Sequence, residues 1–134
     1  MPYIAEENRE LIDNGTFPTN EGDLNYFITT ISLEYLNTHG ESYKTYNDIF
    51  GALSMLLSDS KEDTLLLMKE GMENKIQLGA TLAQVIRRYK HAKGNTLDGD
   101  IEARGVVFLN SLEIYRRKVS KYESEKMLEN GDVF

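Results

Sequence analysis

Apolar residues recur along this chain at intervals of three and four, which places them on one side of an α-helix. Leu24, Phe27, Ile28, Ile31 and Tyr35 form one such set, Ile49, Phe50, Leu53, Leu56 and Leu57 a second, and Leu78, Leu82, Val85, Ile86 and Tyr89 a third. Boundary signals agree. Asn20 stands where an N-cap would precede the first set, with Glu21 and Asp23 in the following turn, and Gly40 stands where a C-cap would close it. Residues 5–14 predict a short helix ending at Gly15, "TFPTN" a loop, "ESYKT" a second loop before a helix from about Thr45, and residues 78–92 a helix closed by Gly94. Ser60 and Asp63 resemble a capping box for a further helix, "TLLLMKEGME". No pair of alternating apolar runs flanks an Asn-Gly or Asp-Gly turn, so strands are not expected.

The C-terminal pattern is the longest. Ile101, Gly105, Phe108, Leu112, Tyr115, Val119 and Tyr122 are spaced 4, 3, 4, 3, 4, 3, a heptad seam. A helix from about Asp100 to Glu129 would be roughly 45 Å long, more than a compact domain of 134 residues needs. The seam therefore calls for cover, from the segment 46–72 or from another chain. The expectation is an all-α, compact helical bundle, a single domain over 1–134 with one long C-terminal helix, that self-associates as a homo-oligomer.

Composition limits the function. The chain has 22 Asp+Glu against 15 Lys+Arg, a net charge of −7, and is 40% hydrophobic. That acidity argues against general nucleic-acid binding, which needs a basic footprint. No apolar run approaches the ~20 residues of a membrane span, and the acidic N-terminus lacks a signal-type hydrophobic region. A cytoplasmic protein is expected. With no cysteine there is no disulfide and no thiolate metal site. His39 and His91 have no partner histidine at ligand spacing, and "DGDIEARG" lacks calcium-loop spacing, so neither a metal nor a cofactor is expected. No nucleophile elbow or phosphate loop occurs, so no catalytic residues are assigned. Glu6, Glu7 and Glu10, and Glu70 with Glu73, carry the i, i+3 spacing of magnesium-binding helices. A facing Glu-x-x-Asp element is present only as Glu10–Asp13 in the same short helix, and solvated acids are the plainer reading.

Against this acidic background, "IYRRKVSKY" (114–122) and "IRRYKHAK" (86–93) hold eight of the fifteen cations. One reading is a solvated face braced by Glu113–Arg117. The other is an anion pocket, because arginine's planar fork suits phosphate and neighbouring tyrosines can stack a base. On that reading the ligand-binding residues are Arg116, Arg117 and Tyr122, with Arg87, Arg88 and Tyr89 as a second set. Tyr115 and Tyr122 lie on the seam, which predicts core-facing rings.

"MPYI" (1–4), "GDLNYFIT" (22–29), "YKTYNDIFGAL" (43–53) and "LEIYRRKVSKYESEKMLENGDVF" (112–134) together resemble a family of short uncharacterised proteins from bacteria and their phages. Members begin MPYI and end in a YRR…PYE..K..NGDVY tail. Here Lys121 replaces the tail proline, which leaves the last helix free to continue. Members are shorter, so residues from about 56 to 105 stand as an insertion. The resemblance implies a helical protein of mobile elements with no established activity. By matching position, Tyr115, Arg116, Arg117, Tyr122, Glu123, Asn130 and Asp132 form its signature. Two functions follow as expectations. One is a homo-oligomer that sequesters a phosphate-bearing ligand, such as a nucleotide immune signal, in anti-defence. The other is an acidic module that inhibits a host protein.

Overall fold

A computed structural model describes residues 4–56 and 74–131. They form α1 (Glu6–Asp13), α2 (Glu21–His39), α3 (Tyr43–Met55), α4 (Lys75–Ala92), α5 (Leu97–Ile114), a π turn (Tyr115–Val119) and α6 (Ser120–Asn130). No strand occurs among the described residues. The expected helix "TLLLMKEGME", its capping box, Glu70–Glu73 and Asp132 lie outside them.

Each start is chemically marked. Asn20 Oδ1 accepts the Asp23 N–H at 2.9 Å and fixes the first turn of α2. Replacing Asn20 with alanine should cost about 1 kcal/mol in urea unfolding, and an unchanged midpoint would remove the cap's role. Two starts lie earlier than the apolar spacing indicated. Ser42 caps α3 by accepting the Thr45 N–H at 3.1 Å. Asn74 caps α4 in a reciprocal capping box with Gln77. Thr96 caps α5, so most of the expected "GNTLDGD" turn belongs to that helix. The turn before it needs two left-handed residues, Gly94 (φ 77°) and Asn95 (φ 55°), types that enter that region at low cost.

Packing follows from the buried faces. α4 and α5 form an antiparallel hairpin tied by Lys90–Asp100 at 2.7 Å. α3 returns antiparallel to α2, with the Tyr35 hydroxyl donating to buried Asp48 at 2.9 Å. α2 and α5 run in parallel. Between them lies Asn110, fully buried, its amide donating to Asn25 Oδ1 at 2.9 Å and Thr29 Oγ1 at 2.7 Å. Leu24, Ile28, Leu78, Leu82, Tyr89 and Ala103 are wholly enclosed in the one core. The segment from 74 to 105 is thus part of that core, although it lies in the stretch that reads as an insertion.

The C-terminal helix runs 34 residues, from Leu97 to Asn130, but it is not one straight seam. The inner face of α5 is Ala103, Val106, Val107, Asn110 and Ile114. Of the expected seam, Ile101, Phe108, Leu112 and Tyr115 are exposed and Val119 is buried. The π turn explains the difference. Ser120 N–H bonds to Tyr115 O, five residues back, and the extra residue turns the inward face by about 100°. Buried Ile114 is thereby followed inward by Val119. The apparent heptad joins the outer stripe of α5 to the inner face of the helix after the turn.

Candidate functional site

The π turn is the sequence Tyr115-Arg116-Arg117-Lys118-Val119, so the departure from α geometry coincides with the first basic run. Ile114 and Val119 anchor it to the body. The Tyr115 ring meets Phe50 of α3 edge-on at 6.5 Å, and its hydroxyl donates to Glu123 at 2.8 Å, which raises the phenol's pKa. The Tyr122 ring packs against Tyr46 at 5.4 Å and remains half-buried, with Lys126 Nζ 5.7 Å from its centre. The Tyr46 hydroxyl donates to Glu41. Two aromatic pairs therefore fasten the turn to α3.

The cations project outward. The Arg116 and Arg117 side chains are 68% and 69% exposed, and both donate to Glu113 Oε1. Those two bonds, Arg116's first and then Arg117's, hold the Glu113 carboxyl below the usual carboxylate range. A shared carboxylate orients both guanidinium groups and leaves further N–H donors on each. Lys118 and Lys121 are exposed beside them. The expected Glu113–Arg117 brace is present, and Arg116 joins it.

The second run is arranged differently. Tyr89 is fully buried; its hydroxyl donates to Glu102, and burial first, then that bond, raises its pKa. The buried ring offers no free face to a base. Lys93 Nζ lies 5.4 Å from its centre and 3.7 Å from Glu102. The Arg88 guanidinium covers the Phe17 ring at 3.7 Å, and Arg87 is half-buried on α4. Tyr89 lies near Glu21 and Asp23 at the start of α2, whereas the π turn follows the end of α5 and meets α3 at Phe50. Within one chain the two runs do not meet.

Two arrangements were not foreseen from the sequence. One is the Tyr35–Asp48 contact, with the His39 ring tilted against Tyr35 at 4.2 Å and Lys44 Nζ 3.5 Å from Asp48. The i, i+4 spacing of Lys44 and Asp48 was the available signal. The other is Asn110, whose partners lie more than 80 positions away and leave no local trace. Among the described residues no group of three His, Cys, Asp or Glu is placed to hold a metal ion, and no helix is long and apolar enough to cross a membrane.

Residues 1–61 match the model of a domain of unknown function, DUF6899. No curated protein and no solved structure matches the chain. The DUF6899 match takes in α1, α2 and α3 and stops before α4. It includes the α3 residues Tyr46 and Phe50 that receive the π turn, but not the turn or the tail motif.

Proposed function

We propose that this protein acts by binding rather than by catalysis, and that the basic π turn holds a phosphate-bearing small molecule. The observation that carries the reading is the pair of exposed guanidiniums fixed by one carboxylate, with two lysines beside them and the half-buried Tyr122 ring nearby. Paired arginine N–H groups make charge-assisted bonds to phosphate oxygens. The tail's likeness to proteins of phages and mobile elements supplies the setting: sequestration of a nucleotide immune signal in the bacterial cytoplasm, as anti-defence. Arg116, Arg117 and Tyr122 make the contacts. Arg87 and Arg88 belong to a separate region, and Tyr89 serves the core.

Thermal shift and calorimetry against linear and cyclic nucleotides test this. Arg117→Ala should weaken binding about tenfold or more, about 1.4 kcal/mol, while leaving the ligand-free melting temperature nearly unchanged. If no nucleotide or inorganic phosphate binds, the reading fails. A second reading, an acidic module that blocks a basic host protein, draws on the net charge of −7 and on α1, where Glu6, Glu7, Glu10 and Asp13 are all exposed.

A further inference from the structure

We infer that the outer face of α5 is a two-fold interface with a second copy of this chain, laid antiparallel, in which Phe108 of each copy fills the gap beside Gly105 of the other. The inference is independent of the anion reading, because the face contains none of the cations of the π turn.

α5 is apolar on two opposite sides. One side is the core face. On the other, Leu97, Ile101, Phe108, Leu112 and Tyr115 are 75, 61, 55, 53 and 45% exposed. At about 100° per residue these five project within roughly 60° of one another, as a stripe about 27 Å long, with Arg104, paired to Asp100 at 3.2 Å, along one edge. Scattered exposed leucines need no explanation, but a continuous stripe does. Gly105 lies beside the stripe near its middle. A Cβ added there would meet nothing within 4 Å. A cavity of about 160 Å³ opens at the same place, lined by Ile101, Gly105, Val106 and Leu109 together with Glu102 and with Glu21 and Asn25 of α2. Its α5 wall is mainly apolar, and it has room for a large side chain.

The stripe supplies its own occupant. A two-fold axis passing between residues 106 and 107 sets Gly105 opposite Phe108, Ile101 opposite Leu112 and Asp98 opposite Tyr115. Such self-complementarity is what an isologous contact requires. Phenylalanine suits the Gly105 seat, and symmetry fills both seats at once. The area suits a weak dimer. Complete burial of the exposed half of five large side chains removes roughly 500 Å² per copy, or about 1,000 Å² for the pair, below the ~1,200 Å² of stable interfaces and in the range of transient ones. The contact makes a dimer of micromolar strength the expectation.

Sedimentation velocity over micromolar to high-micromolar concentrations should show the full chain as a dimer. Phe108→Asp and Leu112→Asp should each weaken it by about a hundredfold or more. Both should keep the wild-type helical circular dichroism, because neither side chain belongs to the core. The chain has no cysteine, so the register can be read by cross-linking. A mixture of Ile101→Cys and Leu112→Cys chains should form the mixed disulfide on oxidation, and neither variant alone should. A monomeric wild type overturns the inference, and so does an Asp variant that leaves the dimer intact. Cross-linking of either single variant with itself overturns the antiparallel register. A monomer that binds a foreign protein through Phe108 would also overturn it and assign the stripe to that partner.

Discussion

Alanine in place of Tyr89 is expected to lower the free energy of unfolding by about 3–5 kcal/mol. The ring is wholly enclosed in the core shared by α2, α3, α4 and α5. Truncation loses the transfer energy of the ring and leaves a cavity that these helices can only partly close. Tyr89→Phe separates packing from hydrogen bonding. It keeps the ring and removes only the hydroxyl bond to Glu102. Glu102 keeps Lys93 nearby and some access to water, so that cost should be about 1 kcal/mol. Domains of this size have only about 5–15 kcal/mol in total. Urea unfolding at neutral pH reads both variants. A Tyr89→Ala protein within 1 kcal/mol of wild type would contradict the placement of the ring.

Alkaline pH should destabilise the fold strongly, through three buried phenols. Burial raises Tyr35 to about 12, reinforced by its hydrogen bond to Asp48. Burial also raises Tyr46 and Tyr89, each reinforced by a carboxylate, Glu41 and Glu102 respectively. An unfolded tyrosine titrates near 10. The folded state therefore holds these protons where the unfolded chain releases them. The stabilisation is fully present below pH 10 and is lost as pH rises through the folded values. Tyr35 alone should account for about 2–3 kcal/mol of loss by pH 12, and the other two add to it. Urea unfolding across this range, with tyrosinate absorbance followed in parallel, checks the claim. Constant stability up to pH 11, or all eight tyrosines ionising together near 10, would refute it.

The sequence carried the helices well and the faces unevenly. Asn20, Gly40 and the apolar sets of α2, α3 and α4 were legible because each element obeys one period and its own caps. The starts of α3 and α4 were less so, since Ser42 and Asn74 precede Ile49 and Leu78, the first members of the periodic apolar sets, by seven and four positions. α5 misled for two physical reasons. Its buried face is built from small residues and an asparagine, whereas its largest apolar side chains point outward, so weight by size selects the wrong side. A constant period also cannot see a π turn, which inserts one residue into the count. For the candidate site, the cations of 116–121 and the Glu113 brace could be read from spacing. Tyr89 carried two readings, the last member of the apolar face of α4 and a tyrosine among cations; the apolar spacing was the signal that matched its burial, and the basic neighbours pointed the other way.

The π turn also separates two packing phases that one uninterrupted α-helix would have forced into a single register. Upstream of Tyr115 the chain is phased to α2 through Asn110; downstream it is phased to α3 through Tyr122 on Tyr46. Deleting one residue from 115–118 would let the helix run on in ordinary α geometry with Val119 still inward and Tyr122 still on Tyr46, whereas α geometry with every residue kept would turn Tyr122 by about 100° and swing it off Tyr46. The turn is thus a phase joint. It absorbs one residue of the count, so that the helix before it and the helix after it each keep their own packed face.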